Sequence, residues 1–155
     1  MTYHLAQFNV GRLAHPLNAP ESQGFVEQLE TVNALADAHP GFVWRLQTDE
    51  GDATSIDPYG DPRVIVNFSV WEDADSLKQF TYAGTHGEVF RQRTDWFEPR
   101  DKPMLVLWWI PAGHMPGINE AVAKLDHLRS TGPSPEAFTF GRFVDAPSDD
   151  IATTV

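Results

Sequence analysis

Apolar and polar residues alternate along residues 3–13. Ala6, Phe8 and Val10 fall on one side and Leu5, Gln7 and Asn9 on the other, which predicts a first β-strand. Pro16 and Pro20 punctuate the loop behind it. Phe25, Leu29, Val32 and Ala36 then recur at helical spacing and predict a helix over about 21–38, stopped by His39-Pro40-Gly41. A short second strand, Phe42 to Leu46, leads into a polar stretch from Thr48 to Pro62. An irregular segment that long is expected to be mobile or functional. The third strand spans 63–71. Val64, Val66, Phe68 and Val70 face one way and Ile65, Asn67, Ser69 and Trp71 the other.

The acids of Glu72-Asp73-Ala74-Asp75 suit the start of a helix. Gly84 divides that helix from a second helical piece over about 85–95. Met104 to Ile110 is apolar on both faces, as expected of a covered strand. A Pro/Gly loop over 111–117 precedes a helix over 118–130, with Ile118, Val122, Leu125 and either Arg129 or Leu128 inward and Gly132-Pro133 at its end. A last strand is predicted over 137–144, and the acidic tail after 145 is expected to fray.

The order β-α-β-β-α-β-α-β opens with the ferredoxin-like pattern, so the expected class is α+β: one domain over 1–145 with an antiparallel sheet and helices on one face. The apolar set of the third strand would pack the helices. The opposite face, with Trp44, Trp71 and one of Trp108 and Trp109, would need cover of its own. A second copy of the sheet supplies it, which predicts a homodimer closing around a shared interior.

Composition narrows the partners. A net charge of −11 opposes binding to nucleic acid or an anionic membrane. No apolar run approaches the roughly 20 residues of a membrane span, and the N-terminus shows no signal peptide, so a cytoplasmic location is expected. With no cysteine there is no disulfide, thiolate zinc site or thiol nucleophile. Histidine and carboxylate spacings match no metal motif, and no glycine-rich phosphate or dinucleotide loop occurs.

The polar face of the third strand carries the chemistry. Asn67 can donate to a carbonyl or developing oxyanion, and Trp71 can stack on a ring or donate its N–H. The plainer alternative has Asn67 pairing with loop backbone and Trp71 filling a dimer core. Gln7 and Asn9 lie on the same kind of face as Asn67 and Ser69, and the first and third strands are neighbours in this fold. The four groups would then line one wall. His86, Phe90, Arg93 and Phe97 form one helical stripe. His86 suits a general base near neutral pH, an axial haem ligand or a structural hydrogen bond at the helix break. Arg93 suits a carboxylate or phenolate anchor, or a salt bridge. Arg45 is either an inward anchor or a strand-edge residue. Trp44 and Trp108 are further aromatic candidates for the substrate wall.

The segments Gly41-Phe42-Val43-Trp44-Arg45-Leu46, Val70-Trp71-Glu72, Gly84-Thr85-His86, Arg91 to Glu98 and Leu107 to His114 resemble a bacterial family catalogued as domain of unknown function 3291, over about residues 3–144. That family is similar to the dimeric α+β barrel superfamily, which includes the antibiotic-biosynthesis monooxygenases. The spacing Asn67-x-x-x-Trp71 resembles that of cofactor-free quinone-forming oxygenases, where it sets an amide and an indole in the pocket. Their tyrosine after the tryptophan has no match, Leu77 standing near its place. The superfamily also holds haem-binding, muconolactone-isomerase-like and stress-response members.

Taken with the residue pattern, the resemblance leads to the expectation of a cofactor-independent monooxygenase for a phenolic or polycyclic metabolite, with Asn67, Trp71, His86 and Arg93 catalytic and Gln7, Asn9, Trp44, Ser69, Phe90 and Trp108 at the substrate. A cyclase, isomerase or dehydratase using the same pocket is the alternative, and a non-catalytic ligand- or haem-binding dimer a third. No cofactor is predicted, haem being the exception considered.

Overall fold

The computed structural model describes residues 2–49, 51–82, 93–99 and 101–147. Four strands form one antiparallel sheet: β1 (Tyr3–Arg12), β2 (Phe42–Arg45), β3 (Val64–Trp71) and β4 (Leu105–Pro111), in the order β2-β3-β1-β4. With α1 (Gln23–Ala38) and α2 (Ala74–Tyr82) this is the ferredoxin-like βαββαβ unit. A third helix, α3 (Ile118–Thr131), follows β4. α2 starts where the Asp73 carboxylate accepts the Ser76 backbone N–H at 2.8 Å. α3 ends at Gly132, whose φ of +80° favours a residue without a Cβ.

The alternating strands create two unlike faces. Ala6, Phe8 and Val10 of β1, Val66, Phe68 and Val70 of β3 and Val106, Trp108 and Ile110 of β4 form one buried cluster. That cluster is covered by Ala121, Leu125 and Leu128 of α3, with Ile56 and Tyr59 of the long loop against it. The other face carries Leu5, Trp71 and Leu107, packed with Ala36 of α1 and Leu77 of α2. The two helices of the βαββαβ unit thus share one face, and the additional helix takes the opposite one.

Three expectations change. The apolar set of β3 packs α3 rather than α1 and α2, which lie over the polar set. Helices of the same chain pack on both faces of the sheet, α3 on one and α1 and α2 on the other, where helices on one face were expected. Residues 137–144 do not form a strand. Phe138 makes a single bridge to Leu107, with hydrogen bonds of 2.8 and 2.9 Å, and turns at Ser134–Ala137 and Thr139–Arg142 bend the chain away on either side. The segment still works as a strap, because Phe138, Phe140, Phe143 and Val144 pack on the α1/α2 side. The helical piece proposed over 85–95 lies largely outside the described residues, and Arg93–Asp95 is one 3₁₀ turn. The tail from residue 148 also lies outside them.

Candidate functional site

The pairing of β1 with β3 sets the floor. On the α1/α2 face the directly paired residues are Leu5 and Trp71, Gln7 and Ser69, Asn9 and Asn67, and Gly11 and Ile65. One half of this ladder is closed by aromatic packing. Trp71, 1% exposed, stacks on Phe80 at 5.1 Å between ring centres and meets the edges of Phe42 and His39 at 5.6 and 5.4 Å. The other half is a cavity of about 340 Å³. Gln7, Asn9, Asn67 and Ser69 all line it. Asn67 is exposed to it, while Gln7 and Ser69 are buried beneath.

These four side chains and Trp71 form one directional network. The Trp71 indole N–H donates to Ser69 Oγ at 2.8 Å, and Gln7 Nε2 donates to the same oxygen at 2.8 Å and to Asn67 Oδ1 at 2.5 Å. Asn9 Nδ2 donates to Gln7 Oε1 at 2.8 Å. Buried carboxamides need such partners, since each unmade bond costs about 1–3 kcal/mol.

The facing wall is α1. Phe25, Gln28, Leu29, Val32 and Asn33 line the cavity. Gln28 and Asn33 escaped the sequence reading, although they fall among the apolar stripe at i+3 and i+4 from its members and so share its face. Trp96 and Phe97 close one end against Phe25, at 6.0 and 5.2 Å. They are held there because Leu13 bridges Phe97 and the Ala14 N–H donates to the Trp96 carbonyl. Phe80 and Phe140 line it elsewhere.

Charge enters at the border. Arg45 shares the face of Ser69, lines the cavity, and is clamped by Asp37 of α1 at 2.7 and 3.1 Å and by the Gly51 carbonyl at 2.8 Å. It is therefore an inward anchor that ties β2, α1 and the long loop together. Arg93 also lines the cavity. The lining acids are engaged. Asp52 accepts from the Thr54 N–H and hydroxyl, and Glu98 accepts from Arg12 at 2.6 and 3.0 Å. Arg12 also binds Asp61 at 2.8 Å, a contact that lowers the Asp61 pKa and raises that of Arg12. Asp52, Ala53 and Thr54 of the long loop stand in the lining at this border.

Not every expected residue reaches the cavity. Trp71 lies on the correct face but within the packed aromatic half. Trp44 and Trp108 belong to the opposite cluster: Trp44 meets Phe68 at 5.2 Å, and the Trp108 N–H is taken by Glu120 at 2.9 Å. A bulge between Phe42 and Trp44 explains the first, because Phe42 pairs with Trp71 and Trp44 with Val70, which turns the two aromatics to opposite faces. Trp109, on the cavity-side face, is fixed through its N–H to the Val144 carbonyl at 2.8 Å. His86 and Phe90 lie outside the described residues. Among those described, no three His, Asp or Glu side chains form a metal-binding group, and no helix is long and apolar enough to cross a membrane.

Fold and cavity together define an α+β protein with a ferredoxin-like sheet and a small-molecule-sized hollow between sheet and helices. The chain belongs to the family described as domain of unknown function DUF3291, whose model matches residues 4–154. No curated protein matches the sequence. Among solved structures, similarity extends to a protein of unknown function from Nitrosomonas europaea (13% identity, TM-score 0.49, 75% of this chain and 97% of that one). It extends also to a candidate antibiotic biosynthesis monooxygenase from the same organism (12%, 0.48, 76% and 97%) and to a variant of SnoaB, a cofactor-independent oxygenase from Streptomyces nogalater (15%, 0.42, 72% and 95%). At such identities and scores these likenesses assign no activity.

Proposed function

We propose that this chain is a small-molecule enzyme: a cofactor-independent monooxygenase acting on a phenolic or polycyclic substrate of polyketide type. The observation that supports this reading best is the cavity floor, where neutral carboxamides are ordered by cross-strand bonds beside aromatic walls. Flat, oxygen-bearing rings fit such a lining, because the apolar walls cover the ring faces and the amides meet the oxygens. Fixed neutral donors also stabilise an oxyanion at little reorganisation cost.

In this reading the substrate CH₂, activated by a conjugated carbonyl or phenol, loses a proton, and the anion is held with its oxygen at Asn67 and its ring between α1 and the sheet. One electron passes from the anion to O₂. The two radicals combine at carbon, and the hydroperoxide loses water to leave a carbonyl. The balance is CH₂ plus O₂ giving C=O plus H₂O, with no added reductant. Arg93 at the border attracts the anion. His86 is assigned the proton on sequence grounds alone.

The test is oxygen uptake with anthrone. One O₂ consumed per quinone formed, with Asn67→Ala lowering turnover by about 10²–10³, is the expected result. Rearrangement or dehydration under strict anaerobiosis would replace this reading with an isomerase, cyclase or dehydratase. A purified protein with a Soret band would replace it with haem binding.

A further inference from the structure

We infer that Gln7 is a positioning residue: it decides which side of the Asn67 amide the cavity presents. Gln7 is 3% exposed and its amide is fully engaged. Its nitrogen serves Asn67 Oδ1 and Ser69 Oγ, and its oxygen receives Asn9 Nδ2. At the buried end the Trp71 indole, which can only donate, fills a second acceptor position on Ser69 Oγ. With Gln7 Nε2 turned toward Ser69 and Asn67 and Gln7 Oε1 toward Asn9, the bonds run in one direction. With Oδ1 of Asn67 engaged, its NH₂ group has no partner among the described residues and lies in the cavity lining. With its NH₂ engaged, Asn9 leaves Oδ1 as the complementary acceptor.

An asparagine alone on a strand would present either atom after a half-turn of its amide. Gln7 removes that choice. The floor then shows a donor at Asn67 and an acceptor at Asn9, directly opposite each other across β1 and β3. The matching ligand carries a carbonyl or oxyanion and, on the same edge, a hydroxyl. This ligand class rests on the cavity being a binding site, as proposed above, whereas the orientation of Asn67 does not.

Gln7→Glu is the discriminating variant. A carboxylate accepts only, so it would keep the bond from Asn9, take the Ser69 hydroxyl proton and turn Asn67 to donate its NH₂ inward. Every group stays partnered while the floor at Asn67 changes from donor to acceptor. The first readout is the side-chain amide region of the ¹H–¹⁵N spectrum of ligand-free protein. The Asn67 NH₂ pair should move downfield in Gln7→Glu while the Asn9 pair stays close to its place. Should Gln7→Glu not fold, Ser69→Ala serves, because losing the shared acceptor should also displace the Asn67 pair. An Asn67 pair unmoved in the folded variant overturns the inference.

The second readout is binding of 1-tetralone, an acceptor, and 1-tetralol, which also donates. Gln7→Glu should weaken the ketone by about tenfold, the size of one hydrogen bond left unmade, and spare the alcohol. Equal weakening of both would overturn the assigned polarity. Wild-type protein that binds neither probe would count against the cavity as a binding site, and the spectrum alone would then decide the role of Gln7.

Discussion

Replacing Trp71 with phenylalanine separates packing from chemistry at this site. The indole is 1% exposed, stacked on Phe80, flanked by Phe42 and His39, and bonded through its N–H to Ser69. Phenylalanine keeps one ring and gives up roughly 50 Å² of buried apolar surface, about 1.3 kcal/mol at ~25 cal/mol per Å². Loss of the N–H bond adds about 1 kcal/mol, and incomplete collapse around the smaller ring adds a little more. The expected destabilisation is about 2–3 kcal/mol, or a fall of roughly 5–10 °C in Tm for a chain of this size. Ser69 still accepts from Gln7, so the cavity floor keeps its order. Turnover of anthrone measured well below the new midpoint should stay within about threefold of wild type, a difference under ~1 kcal/mol. Asn67→Ala should fall mainly on turnover: it leaves one Gln7 N–H without its acceptor, at about 1–3 kcal/mol of stability, and removes the donor, at about 10²–10³ in rate. Thermal unfolding by circular dichroism and oxygen uptake give the two readouts. A Trp71→Phe protein with wild-type Tm and a hundredfold loss of turnover would refute this reasoning and make the indole a substrate contact.

Other substitutions report on the scaffold. Gly41→Ala would drive a Cβ into Ser76 at the start of α2, so urea unfolding should show a loss of about 1–3 kcal/mol, partly restored by adding Ser76→Gly. The Tyr59 hydroxyl is buried with no hydrogen-bond partner among the described residues, so Tyr59→Phe should be neutral or stabilising by up to about 1 kcal/mol. Burial raises the Tyr59 pKa, so the unfolded chain ionises first. Stability is therefore full below pH 10.0 and declines as pH rises through the folded value, a decline that Tyr59→Phe should reduce. Asp61 has the opposite sign. Its hydrogen bond from Arg12 depresses the pKa, so its contribution is present above the ordinary 3.8 and disappears as pH falls through the folded value, and Asp61→Asn should flatten that acid limb in a pH series of unfolding midpoints.

The strand pairing was readable because side chains on a strand repeat every two residues. That rule alone aligns Gln7 and Asn9 with Ser69 and Asn67 once β1 and β3 are neighbours, and the register agrees. The boundaries of α1 and α3 were readable from the 3.6-residue apolar period and from Pro40 and Gly132. Trp44 was not readable, since one extra residue at a bulge reverses every side chain beyond it. The path of residues 137–144 was not readable either. An apolar run predicts burial, but a strap pinned by one bridge buries Phe138 as well as a strand would and half-buries Phe143. Nor does alternation say which helices take which face, because both faces of this sheet carry enough apolar surface to be covered.

The position of the cavity nevertheless follows from the composition of the face that holds it. α1 and α2 descend on a surface that is aromatic at one end and carboxamide at the other. At the Leu5/Trp71 end, Phe42, Leu77 and Phe80 supply rings and branches that fill the space to close contact. At the Asn9/Asn67 end, equally tight burial would strip water from several amides at about 1–3 kcal/mol for each bond left unmade. Four groups of the floor meet part of that demand among themselves, with the Asn67 NH₂ and Asn9 Oδ1 left facing the gap, and Gln28 and Asn33 arrive from α1 on the same stripe as Leu29 and Val32. A helix face with that mixture cannot close on an amide floor without orphaning polar atoms, so the two surfaces stand apart. The hollow is thus the part of the interface that the sequence makes too polar to pack. Replacing Gln28 and Asn33 together by leucine should accordingly shrink the cavity and raise Tm while abolishing ligand binding. A double variant that binds 1-tetralone as wild type does would show that α1 stands off the sheet for some other reason.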